Sequence, residues 1–142
     1  MSERHIDAFF YGLFMDAAIL RAGGVAEPQN PRHAFVDGFA LRIGPRATLV
    51  PEGGSRAYGM VFALTHTELG LLYAAPGLET YRAEAVLAQV LGGGVTPALC
   101  YNLRDPPRSD EWNGDYASRL CEVLAKLGFP EANVASVSKR GA

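Results

Sequence analysis

The chain predicts an α+β fold, a small mixed β-barrel of about six strands with peripheral helices. Three observations lead there. Short apolar or alternating runs recur between glycine and proline turns. Helix signals occur between and after those runs, each with a capping residue in front. A closed or nearly closed barrel is also the simplest arrangement that leaves few strand edges bare.

The elements follow in order. Ile6–Tyr11 is aromatic-rich and stops at Gly12, as a buried strand would. Asp16 caps a short helix over Ala17–Arg21, which Gly23-Gly24 ends. From His33 the period becomes two. Ala34–Ile43, Ala47–Val50 and Ala57–Leu64 read as strands of a meander, with Gly44-Pro45 and Pro51–Ser55 as its turns. Gly59, inside the third run, suggests a bulge or the close approach of another backbone. Thr65 and Glu68 form a capping box opening a helix over His66–Tyr73, ended by Pro76-Gly77. Tyr81–Val90 and Val95–Leu103 make a hairpin across Gly92–Gly94. Arg104–Gly114 is a polar, proline-rich loop. Asp115 caps the last helix, Tyr116–Leu127, with an apolar stripe of Leu120, Val123, Leu124 and Leu127. The tail after Val137 is expected to fray, and residues 1–5 to be loose.

Composition narrows the class. The 142 residues make one domain's worth, read as a single domain over 1–142; 49% are apolar, 20% are charged and the net charge is −2. With no basic block, nucleic acid and anionic membrane are poor partners. No stretch resembles a signal peptide or a membrane span, so a cytoplasmic location is the expectation. Cys100 and Cys121 read as buried thiols, not a disulfide framework. His5, His33 and His66 share no metal-ligand spacing with one another or with the cysteines, and no metal or organic cofactor is implied.

Candidate site residues cluster where the first strand breaks. A strand that ends at glycine and feeds a helix start gathers backbone N–H donors, which suits an anion. Tyr11, Gly12, Leu13, Phe14 and Met15 are therefore read as the floor of a small-molecule site.

The succession of motifs resembles the γ-glutamylcyclotransferase-like (AIG2-like) family over about residues 6–135. The residues that carry the resemblance are Tyr11-Gly12 before a helix start and a strand Tyr58-Gly59-Met60-Val61-Phe62-Ala63-Leu64. A Thr-capped helix containing Leu71-Leu72 and then Tyr81-Arg82 opening a strand follow. A late Ala98-Leu99-Cys100-Tyr101 strand and a Tyr116-led helix complete the set. The resemblance implies a small β-barrel with a cavity at one mouth. Active members of that family cyclise a γ-glutamyl amide to 5-oxoproline and release an amine. Their Tyr-Gly-Ser-Asn-Leu substrate loop corresponds to Tyr11-Gly12-Leu13-Phe14-Met15, with the small polar pair replaced by Leu13-Phe14. Tyr81 and Tyr116 fall where the family places tyrosines near the cavity.

The family's Leu-Asp-x-x-Glu-Gly segment aligns with Leu72–Gly77. This puts Tyr73 at the Asp position and Pro76 at that of the acid–base Glu. Proline has no titratable group, and losing acid–base work typically costs ~10²–10⁴-fold in rate. Two readings follow from the resemblance. One is a cavity protein without the usual Glu, a binding module or an enzyme of altered chemistry, whose ligand carries a carboxylate or a γ-glutamyl-like amide. The other is an active amine-releasing cyclotransferase in which Glu79 takes over as acid and base. A plainer third reading is a scaffold acting by self-association or by binding another protein, with a homodimer left open.

Overall fold

The computed structural model describes residues 4–108 and 113–129. The expectations for residues 1–3, for part of the 104–114 loop and for the tail after Val137 lie outside them. Five strands form a closed barrel in the order β1-β3-β2-β4-β5. They are β1 (His5–Phe10), β2 (Gln29–Ile43), β3 (Ala47–Thr65), β4 (Tyr81–Val90) and β5 (Val95–Leu103). Neighbours run antiparallel except β1 and β5, which close the barrel in parallel at Ala8 and Leu99. Three helices pack outside: α1 (Ala17–Ala22), α2 (His66–Tyr73) and α3 (Gly114–Lys126). A 3-10 turn over Leu13–Met15 links β1 to α1.

The strand number is one lower than the sequence suggests, because Pro51–Ser55 is not a turn. The runs Ala47–Val50 and Ala57–Leu64 are two halves of one long β3, paired with β2 on either side of Glu52–Ser55. The chain absorbs the interruption as a register shift between Asp37 and Phe39, where Gly38 has a φ of 84°. Four residues of β3, Glu52–Ser55, stand opposite Gly38 alone, a large bulge that bends the paired strands without ending them.

Alternation along the strands divides the apolar residues between two cores. Phe9, Tyr11, Val36, Leu49, Val61, Val86, Ala98 and Cys100 fill the barrel. Ala8, Phe10, Met60, Phe62 and Leu64 face outward, against Leu20 of α1, Leu69 and Leu72 of α2, and Leu120 and Leu124 of α3. Gly59 is where strand and barrel press closest: a Cβ there would lie 2.2 Å from the Phe10 carbonyl oxygen. Two buried polar side chains tie β3 to β5. Thr48 accepts from the Leu103 N–H at 2.9 Å, and Asn102 accepts from the Leu49 N–H at 3.2 Å.

The helix ends follow their capping chemistry. Asp16 accepts from the Ala18 N–H at 3.0 Å. Thr65 and Glu68 complete the capping box, at 3.1 and 2.9 Å. For α3 the cap is Asn113, accepting from the Tyr116 N–H at 3.2 Å, and not Asp115, which lies within the first turn. Asparagine and aspartate cap about equally well, so geometry decides between neighbours. Cys100 is buried as expected, whereas Cys121 is only half-buried. No helix among the described residues is long and apolar enough to cross a membrane.

Candidate functional site

Where β1 runs into the 3-10 turn, the barrel mouth opens into a cavity of about 330 Å³. Its floor is the end of β1 and the turn, from Phe9 to Phe14. The β2–β3 turn supplies Pro45, Arg46 and Ala47. The end of α2 and the segment after it contribute Tyr73 and Leu78, the β4–β5 pair Tyr81 and Tyr101, α1 Ile19, and the first turns of α3 Tyr116 and Arg119. The size is at the small end for a ligand site.

The tyrosines have distinct jobs. The Tyr11 hydroxyl donates to the Tyr101 carbonyl at 2.7 Å, joining β1 to β5. The Tyr81 hydroxyl donates to the Ala47 carbonyl, joining β4 to the β2–β3 turn. The Tyr116 oxygen accepts the Leu13 N–H at 3.2 Å, so one donor of the loop is already used within the protein. Gly12 makes that contact fit, since a Cβ there would stand 2.4 Å from the Tyr116 oxygen. Tyr73 stacks on Tyr101, with ring centroids 3.9 Å apart and planes within 10°; Phe14 meets Tyr73 edge-on at 5.9 Å.

Burial pushes the phenols of Tyr11, Tyr73, Tyr81, Tyr101 and Tyr116 above their ordinary range. A phenolate would forfeit hydration that the apolar walls cannot replace, so all five remain hydrogen-bond donors at neutral pH. Arg46 and Arg119 are the charged residues of the lining. Neither is in an ion pair with a described residue. The Arg46 guanidinium lies against Gly77, where a Cβ would come within 1.8 Å of it. Gly77, at a φ of 87°, both turns the chain and leaves room for that charge.

The structure brings together six of the eight residues expected from sequence: Tyr11, Gly12, Leu13, Phe14, Tyr81 and Tyr116. Met15 is fully buried in the outer core and does not line the cavity. In the tight 3-10 turn the Met15 N–H reaches back to the Gly12 carbonyl, which carries its side chain inward. Glu79 is exposed and lies outside the lining. The Pro76-Gly77 turn reverses the chain just before it, and Leu78 is the neighbour that faces the cavity. Pro76 is exposed as well, while Tyr73, its companion in the motif alignment, lines the site. Among the described residues no Asp or Glu lines the cavity, and no group of three His, Cys, Asp or Glu could hold a metal.

Arg46, Tyr101 and Arg119 are not found by the sequence reading. Arg119 follows Tyr116 by three helical positions, a spacing that puts both on one face. Arg46 sits in a turn whose direction only the barrel fixes. Tyr101 alternates with the inward-facing Cys100 and Asn102, which places it on the outer face beneath Tyr73.

No protein-family sequence model matches the chain, nor does any curated protein sequence. Solved structures do. A structure described as γ-glutamyl cyclotransferase superposes with a TM-score of 0.76 at 16% identity, over 94% of this chain and 86% of that one. YkqA from Bacillus subtilis gives 0.79 at 23% identity, over 95% of this chain; the match spans only 53% of YkqA. An AIG2-like protein from Mus musculus gives 0.59 at 15% identity, over 80% of this chain and 91% of that one. At these identities the likeness is one of architecture. The strand order, the placement of the helices and these superpositions together show that the chain has the AIG2-like, γ-glutamylcyclotransferase-like barrel fold.

Proposed function

We propose that the protein is a small-molecule-binding member of this fold that lacks the acid–base carboxylate of a cyclotransferase, and so binds its ligand or acts on it by different chemistry. The observation that carries this reading is the cavity lining: aromatic residues, two arginines and, among the described residues, no carboxylate.

Cyclisation of a γ-glutamyl amide needs one group to take a proton from the attacking ammonium and to give one to the departing amine. Phenols held above their ordinary pKa range stay protonated and are no base, and a guanidinium has donors but no acceptor to take a proton. Glu79 would have to swing from solvent past Leu78 to take part. The ligand expected is one bearing a carboxylate or a γ-glutamyl-like amide.

The test incubates the protein with γ-glutamyl amides and follows 5-oxoproline, alongside melting-temperature shifts with carboxylate ligands at millimolar concentration. Ligand-induced stabilisation without 5-oxoproline supports the reading. Turnover that Glu79→Gln abolishes would replace it with the cyclotransferase reading. No stabilisation by any such ligand would leave the barrel as a scaffold.

A further inference from the structure

The charged groups facing the cavity are both cationic, and free phenol protons stand beside them. Tyr73 and Tyr101 have no hydrogen-bond partner for their hydroxyls among the described residues. Tyr116 spends its oxygen on the Leu13 N–H and keeps its own proton to give. The acceptors are already engaged: the Tyr101 and Ala47 carbonyls each receive a phenol. Two guanidinium groups without ion-pair partners among the described residues stand in the same lining. Burial keeps the Tyr81 and Tyr116 phenols protonated, and the charges of Arg46 and Arg119 beside them offset it only in part.

Such a site attracts negative charge and repels a positive one, because the charged groups of its lining are both cationic. An α-ammonium would bring its charge against two arginines, with only uncharged phenol oxygens and ring faces, and no carboxylate among the described residues, to offset the lost hydration. The rest of the lining is flat and apolar, with Phe9, Phe10 and Phe14 beside the stacked Tyr73–Tyr101 pair. Aromatic walls receive an aromatic body edge-on or offset with some gain beyond area burial.

We propose that the cavity selects an aryl or arylalkyl carboxylate, its ring among the aromatic walls and its carboxylate at the Arg46 and Arg119 rim, and discriminates against the zwitterionic γ-glutamyl amides. This rests on the cavity being a ligand site, as proposed above, and narrows its ligand class.

Titration calorimetry with four probes tests it: phenylacetate, phenylacetamide, benzylammonium and γ-glutamyl anilide. Phenylacetate binds most tightly, phenylacetamide roughly tenfold or more weakly, and benzylammonium not measurably. Arg46→Gln and Arg119→Gln each weaken phenylacetate by about three- to tenfold, a moderate loss because both side chains reach solvent, and leave phenylacetamide unchanged. Arg21→Gln, on α1 away from the lining, changes neither. Tighter binding of γ-glutamyl anilide than of phenylacetate overturns the inference and leaves the binding reading standing. An equal loss in Arg21→Gln also overturns it, by reducing the effect to net charge. Failure of all four probes to bind overturns the inference together with the reading beneath it.

Discussion

Substituting Gly12 by alanine isolates one contact that builds the site. The backbone there is extended, with φ −109°, so alanine brings no conformational strain. The obstacle is one atom. The new Cβ would sit 2.4 Å from the Tyr116 oxygen but 3.7 Å from its ring carbon Cζ. To restore a tolerable separation of 3.0 Å the oxygen must retreat by about 0.6 Å. Its bond from the Leu13 N–H is already 3.2 Å long, and a retreat away from the loop takes it out of hydrogen-bond range.

Gly12→Ala should therefore cost about 2–3 kcal/mol, from displacement plus an orphaned N–H. Tyr116→Phe removes the oxygen outright and should cost about 1–2 kcal/mol. In the double variant the clash has gone, because only an ordinary contact with Cζ remains. Alanine then lowers the entropy of the unfolded chain, worth about 0.4–1 kcal/mol in favour of folding. The double variant should thus be at least as stable as Tyr116→Phe alone, a coupling of about 2–4 kcal/mol between the two positions. Urea unfolding of the four proteins reads this directly. Losses that add to within about 0.5 kcal/mol would refute the argument, since independent sites behave that way.

Other outcomes follow from the same geometry. Gly59→Ala should destabilise by about 3 kcal/mol or more, because its Cβ meets a carbonyl oxygen and the Phe9 ring, neither of which can swing aside; calorimetric melting checks it. Thr65→Ala removes the cap of α2 and should cost about 1 kcal/mol in urea unfolding. The hydrogen bonds from Arg32 hold the Asp7 carboxyl below its ordinary value of 3.8. The stability it contributes is present above about pH 4 and is lost as pH falls through the lower folded-state value. The stability gap between wild type and Asp7→Asn should accordingly be widest near neutrality and close in acid. Burial pushes the Cys100 thiol up to about 12, so iodoacetamide at mildly alkaline pH should label it only at the rate of unfolding, and fast labelling of native protein would contradict its burial.

The fold was legible where local chemistry and tertiary context agree. The caps at Asp16 and Thr65, the hairpin at Gly92–Gly94 and the close approach at Gly59 all rest on residues whose options are few. The error at Pro51–Ser55 has the opposite cause. Proline and paired glycines usually break a strand, but β2 and β3 bend together through that stretch because both are held by a long pairing on either side. The site was legible on its contiguous part, Tyr11 to Phe14, where a glycine break and aromatic neighbours lie side by side in sequence. Arg46, Tyr101 and Arg119 come from three other elements and meet only because the barrel closes. Met15 shows the limit within the loop itself, since a one-residue step along a 3-10 turn exchanges a cavity wall for the core.

The hydrogen bond from Leu13 to Tyr116 also bears on when the site comes into being. It joins residues 103 positions apart, and the bond from Tyr11 to Tyr101 spans 90. The entropy of closing such long loops must be overcome before either contact repays it, so structure of this kind forms slowly and late. During synthesis the floor of the cavity emerges first and waits, unroofed and aromatic, until α3 leaves the ribosome. A nascent chain stopped short of Tyr116 holds an open mouth and the part of the apolar outer face that α3 covers exposed at once, and is the species for which a chaperone would matter most.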